Sequence, residues 1–272
     1  MKRSFWVALG FGVAMGMGAA VSVQAHEFWF MPEDFTLDAG AQVRANLRNG
    51  SHMVGVDLPY LPENLPRYEV LLGDTVTPIT ARLGDTPAVD VAVPGTGLAI
   101  LVAETINLTV TYDDFAVFKR FTEHKAMPQI AEHHVTRGLP DKGFTESYKR
   151  YVKSLVAIGD GAGADRVLGM RIEIVALANP YTDDISKGMP LQVFMDGKPR
   201  VGAQLLMLAT DAAGVVTEVP YVTDGNGMAV VAAVSGSTYL ADSVDIFALP
   251  NNDAMAGPVW HSDWASMTYA VP

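Results

Sequence analysis

The sequence predicts a mostly β protein made of two β-sandwich, Ig-like domains with a helical insert between them. Three observations carry this. Short apolar runs recur between turn residues in both halves, as at Asn49-Gly50, Gly73-Asp74, Gly84-Asp85, Pro94-Gly95, Asp196-Gly197 and Asp224-Gly225-Asn226-Gly227, which is the punctuation of sandwich strands. Several runs alternate apolar with polar residues, the period-2 pattern of a strand with one wet face. Between residues 115 and 165 the spacing of apolar residues becomes helical.

Residues 1–25 read as an export signal. Lys2 and Arg3 precede an apolar run rich in Gly, Ala and Met, and Val23 and Ala25 put small residues at the −3 and −1 positions of a cleavage site after Ala25. The run is short for a membrane span of about 20 residues. The expected product is a soluble, exported chain that begins at His26, and the signal type points to a bacterial periplasm.

The first β domain is expected over residues 26–114. Val43 to Arg48 and Leu108 to Tyr112 alternate, while Val89 to Val93 and Leu98 to Val102 are more continuously apolar. In the insert, residues 115–165, Phe144, Tyr148, Tyr151, Val152, Leu155 and Val156 recur at helical spacing after a candidate N-cap, Thr145. A looser helical stretch is expected from Phe118 to Val135, interrupted at Pro128. The second domain, residues 166–272, is expected to hold a hairpin of Leu191 to Met195 with Val201 to Leu208. Another is expected around Asp224 to Gly227, ahead of closing strands at Tyr239 to Phe247 and Ala265 to Val271.

Composition narrows the function. The net charge is −11, and loss of Lys2 and Arg3 makes it −13, so no basic surface is available to neutralise phosphates and no nucleic-acid partner is expected. Cysteine is absent, which removes disulfides and thiolate ligands. Any metal must be held by His, carboxylate, Met or backbone groups, a donor set suited to nickel, cobalt, copper or zinc. No metalloprotease, serine-hydrolase, phosphate-loop or dinucleotide motif is present. The adjacent carboxylates Asp113-Asp114 and Asp183-Asp184 would point to opposite faces of a strand rather than work together.

Histidine is therefore the chemistry to follow. As the first residue of the cleaved chain, His26 would offer an α-amine, with an ordinary pKa of about 7.7–8.0, together with its imidazole. The two can close a chelate ring on a divalent metal, and one further imidazole completes a three-nitrogen brace similar to that of copper monooxygenases. His124, beside Glu123 and near Glu132-His133-His134, is a second candidate ligand, although a solvated histidine-rich face explains the same cluster. His261 is a third, because terminal strands can return to the N-terminus and ligand sites favour domain junctions.

The chain also resembles a known family. The resemblance is carried by His26-Glu27-Phe28-Trp29, by Gly50-Ser51-His52 leading to Pro59-Tyr60, by Tyr148 to Leu155, by Asp196-Gly197-Lys198-Pro199 and by Trp264 to Tyr269. Together they look like the exported bacterial proteins commonly labelled as the periplasmic component of nickel or cobalt uptake. The resemblance implies a β-rich periplasmic protein that handles a divalent metal, and it adds His52 as the partner of His26. The expected metal set is thus His26, His52, His124 and His261, with nickel or cobalt as the ion and copper fitting the same donors. The expected partner is an inner- or outer-membrane metal transporter. A binding and delivery protein is expected rather than an enzyme; a copper-dependent redox enzyme with a histidine brace and a metal-free interaction protein are the alternatives.

Overall fold

A computed structural model describes residues 26–272; the expected export signal, residues 1–25, lies outside the described residues. The chain runs through β1 (Glu27–Pro32), β2 (Thr36–Leu37), β3 (Gln42–Ser51), β4 (Val54–Leu58), β5 (Arg67–Leu72), β6 (Thr75–Pro78), β7 (Val89–Ala92), β8 (Gly97–Glu104) and β9 (Leu108–Tyr112). Two helices follow, α1 (Phe115–His124) and α2 (Pro128–Thr136), then β10 (Phe144–Ile158). The remainder is β11 (Ile172–Ala176), β12 (Met189–Met195), β13 (Lys198–Pro199), β14 (Gln204–Thr210), β15 (Val216–Val222), β16 (Met228–Val231), β17 (Ser237–Ala248) and β18 (Trp260–Val271). The fold is mostly β and sandwich-like.

One ten-stranded sheet crosses the molecule in the order β15-β14-β17-β18-β10-β8-β5-β6, with β2 and β9 also pairing with β10. A four-stranded sheet of β1, β3, β4 and β7 covers one of its faces, and β11, β12, β13 and β16 cover the other. This explains why Leu98 to Ala103 is apolar without interruption. Ala99, Leu101 and Ala103 pack toward Phe30, Val43 and Leu47, whereas Leu98, Ile100 and Val102 pack toward Ile172, Leu191 and Val193. A strand buried on both faces has no wet side to mark its alternation.

The same burial corrects the helix expected over Phe144 to Val156. That stretch is β10, paired in parallel with β18 and antiparallel with β8 and β9. Val152 and Val156 enter one core, Tyr151 and Leu155 the other. Apolar residues on both faces happened to fall at helical intervals, an ambiguity periodicity alone cannot resolve. Thr145 is no N-cap but a ladder residue opposite Thr111. Helix is confined to the front of residues 115–165: Asp114 caps α1 by accepting from the Ala116 N–H at 2.8 Å, and Pro128 opens α2 instead of interrupting a helix.

Two expected hairpins also change. The Asp196-Gly197 turn returns the chain only as far as β13 against β12, while β14 leaves for the large sheet and pairs with β15 and β17. The turn at Asp224 to Gly227 likewise joins strands of different sheets, β15 to β16. Among the described residues no helix is long and apolar enough to cross a membrane.

Candidate functional site

Three parts of the chain meet at one end of the ten-stranded sheet. The first is the β3–β4 hairpin. His52 and Met53 form its two-residue tip, both with positive φ, 54° and 57°, as a tight primed turn requires. Gly50 makes the close approach possible, since a Cβ there would lie 2.0 Å from the Val54 carbonyl oxygen. Met53 turns inward against Trp29 and Leu206, leaving His52 exposed.

The second part is the end of α1. Phe118 and Phe121 are buried, Phe121 stacks on Trp264 at 5.4 Å, and this anchoring leaves His124 at the last turn of the helix. Gln204 holds that turn by donating to the His124 carbonyl at 2.8 Å. The third part is β15, which carries the half-buried Glu218. One carboxylate oxygen of Glu218 is 2.9 Å from His124 Nε2, and the other is 3.4 Å from His52 Nε2. A cavity of about 300 Å³ opens here, lined by Glu27, Ser51, His52, Arg120, Phe121, His124 and Glu218. Glu218 carried no signal in the sequence: Val216-Thr217-Glu218-Val219 reads as an ordinary alternating strand.

Below the cavity lies a buried charge network. Lys125 Nζ donates to Glu27 at 2.9 Å and to Asp242 at 2.8 Å, and sits 4.8 Å from the centre of the Trp264 ring. Burial pushes the Glu27 carboxyl up, but the Lys125 ammonium more than offsets this and leaves it below the usual glutamate value. For Asp242 burial wins and the pKa is raised, against the opposing pull of Lys125. Arg150 is buried beside this network, with its guanidinium over the rings of Tyr148, Trp264 and Phe28 at 4.9, 5.2 and 5.6 Å.

His26 stands directly before β1. Glu27 pairs with Gly50, so the start of the strand runs beside the end of β3, next to the His52 turn. Its carbonyl accepts from Arg150 Nη1. Partial burial lowers the pKa of its imidazole, with Glu27 opposing and Arg150 adding to the effect, so the neutral, ligating form is favoured near neutral pH. The ring itself is not among the groups lining the cavity; its neighbour Glu27 is.

His261 is not brought to this place. Along β18, Trp260 and Trp264 face the aromatic cluster with Phe118 and Phe121, while Ala265, Met267 and Tyr269 face the opposite core. Alternation puts His261 on the latter face, where its ring nitrogens lie 2.6 Å from Ser147 Oγ and 3.2 Å from Asp263 Oδ1. His134 is not on a solvated face either: it is fully buried, accepts from Trp260 Nε1 at 3.0 Å, and has Nε2 3.0 Å from the Pro140 carbonyl. His133 is exposed and meets Trp260 edge-on.

The arrangement at Glu218 can do one kind of chemistry well. Two imidazoles on either oxygen of one carboxylate form a mixed nitrogen and oxygen donor set, matched to borderline divalent metals. Among the described residues no three such side chains already converge on one coordination point, so the rings would exchange their contacts with Glu218 for the ion.

A family model described as a domain of unknown function, DUF4198, matches residues 23–244, most of the chain. No curated protein matches. Among solved structures, the chain has a loose likeness to a crystal structure of a tetra-tandem repeat in the extending region of a large adhesion protein. Identity is 11%, coverage is 90% of this chain and 49% of that one, and the TM-score is 0.20. The chain thus spans about half the length of that structure, and the likeness is too slight to carry an argument.

Proposed function

We propose that this chain, which belongs to the DUF4198 family, is a periplasmic protein that binds a divalent transition metal, nickel or cobalt by preference, and delivers it to a membrane transporter. The observation that carries the reading is the sharing of one carboxylate, Glu218, by the Nε2 atoms of His52 and His124. These three residues come from a hairpin tip, a helix end and a strand far apart in sequence. His26 lies close by at the start of β1, and signal cleavage would add its α-amine to the donors.

The residues fit such an ion in type. Imidazole suits nickel, cobalt and copper, and the Glu218 carboxylate supplies negative charge that counters the repulsion of a cation by Arg120 on the same wall. His52 has a side chain 67% exposed, which favours a carrier, because a ligand at the rim can be exchanged for one on a recipient. An enclosed site would favour retention.

The test is metal titration of protein whose N-terminus is confirmed by mass spectrometry to be His26, beside a control with one alanine added before it. The Glu218→Gln and His124→Ala variants are titrated in parallel. The proposal expects one-to-one binding of nickel or cobalt that weakens in all three comparisons. Binding unchanged by the extra alanine but lost with Glu218→Gln would confine the site to the internal residues. No binding of nickel, cobalt or copper by any form would sink the reading.

A further inference from the structure

A second cleft is lined by Phe28 of β1, where the first is lined by Glu27, and its chemistry differs. Its volume is about 150 Å³, the size of an apolar cavity that accepts benzene. The walls are Phe28, Leu47, Leu58, Leu61, Leu65 and Leu108. Polar residues complete the lining: Arg150 and Asn49, together with Asn64, Thr105 and Tyr148.

Arg150 and Asn49 both have unused hydrogen-bonding capacity. A guanidinium carries five N–H donors, and among the described residues those of Arg150 are drawn on by the His26 carbonyl, through Nη1, and by the Tyr148 hydroxyl. No carboxylate lies within ion-pair distance of it among those residues; Arg150 is only 6% exposed, and Asp242 and Glu27 act on its charge from further off, shared with Lys125. The rings of Phe28, Tyr148 and Trp264 surround its charge. The N–H groups not given to His26 or Tyr148 remain open to an anion that enters the cleft. Asn49 adds a buried Oδ1 that no donor in the protein satisfies, and alternation along β3 puts its side chain on the same face as Leu47.

We infer that this cleft is a binding site for a small carboxylate with a short branched apolar body and a hydrogen-bond donor beside the carboxylate, the chemistry of an apolar α-amino or α-hydroxy acid. The carboxylate takes the free N–H groups of Arg150, where a planar, two-pronged pairing is available. The neighbouring ammonium or hydroxyl donates to Asn49 Oδ1. The apolar body displaces water from the leucine-lined wall, the division of labour usual in small-molecule pockets. This inference does not depend on the metal reading, and its test is run without metal.

The experiment is calorimetric titration in EDTA with L-leucine, L-2-hydroxyisocaproate, 4-methylpentanoate and isoamylamine, on the wild type, Arg150→Lys and Leu61→Trp. Leucine and the hydroxy acid are expected to bind. The acid without a donor should bind at least about tenfold more weakly, and so should leucine to Arg150→Lys, since a hydrogen bond to a charged group contributes about 1.5–3 kcal/mol. Isoamylamine should not bind. Leu61→Trp, at the half-exposed rim, fills the mouth and should abolish binding even if Arg150→Lys proves too unstable to study. The inference is overturned if neither leucine nor the hydroxy acid binds, if isoamylamine binds as well as leucine, or if Leu61→Trp binds leucine unchanged. Parity of 4-methylpentanoate with leucine would overturn the role given to Asn49.

Discussion

His124, the last residue of α1, places its Nε2 2.9 Å from a carboxylate oxygen of Glu218, 94 positions further along the chain. The contact depends on the anchoring of α1 by Phe118 and Phe121 against Trp260 and Trp264, and on Gln204 of β14 at the His124 carbonyl. If the pair is half of a metal site, Glu218→Ala should lower nickel affinity by roughly ten- to a hundredfold, the loss usual for groups that shape a metal site. Folding should be almost unaffected, because exposed ion pairs contribute little. Isothermal titration beside a urea denaturation curve separates the two effects.

His52 sits at φ 54°, a conformation that a non-glycine residue holds at a cost of about 1 kcal/mol or more. Asparagine accepts that region more readily. The variant His52→Asn should therefore be as stable as the wild type, or more stable by up to about 1 kcal/mol, while its metal affinity falls. A stability loss together with unchanged metal binding would show that His52 serves the turn and not the ion.

Lys125 is the only cation within hydrogen-bonding distance of both Glu27 and Asp242 among the described residues. Lys125→Met keeps the volume and leaves two buried carboxylates facing each other. Breaking such a network by removing one partner typically costs about 3–5 kcal/mol, so the denaturation midpoint should drop sharply at neutral pH. Acidification should restore part of the loss as the carboxyls protonate.

His134 provides a pH test. Burial lowers its pKa from the ordinary 6.5, only partly offset by its contact with the Pro140 carbonyl. Its lowered folded value means that the unfolded chain binds the proton first. The stability it contributes is full above pH 6.5 and is lost as pH falls below that value toward the folded pKa. Protonation at Nδ1 would also displace the Trp260 N–H. Glu146, buried with a raised pKa, acts in the opposite sense, contributing stability that is lost as pH rises above 4.5. The checkable quantity is therefore a difference: the slope of unfolding free energy against pH below 6.5 should be shallower in His134→Gln than in the wild type.

Strand content was legible because its signals are local. Turn residues such as Asn49-Gly50 and alternation such as Val43 to Arg48 act over a few positions. β10 was not legible, because sheets cover both of its faces and apolar residues then fill every register. The expected hairpins after Met195 and before Met228 failed for a related reason: a turn specifies that the chain reverses, not which sheet the next strand joins.

Residue type marks His26, His124 and His261 as candidate donors and the family resemblance adds His52, while small residues before His26 mark the expected start of the exported chain. The sequence also determines that no thiolate can ligate a metal here and that charge disfavours nucleic acid. Tertiary structure decided the rest. It set Glu218 between His52 and His124, turned His261 to the opposite face of β18, and brought Arg150 to the wall of an apolar cleft. Each of these depends on which face of a strand meets which neighbour, and that is set by long-range sheet pairing between residues whose own neighbours in sequence carry no trace of it.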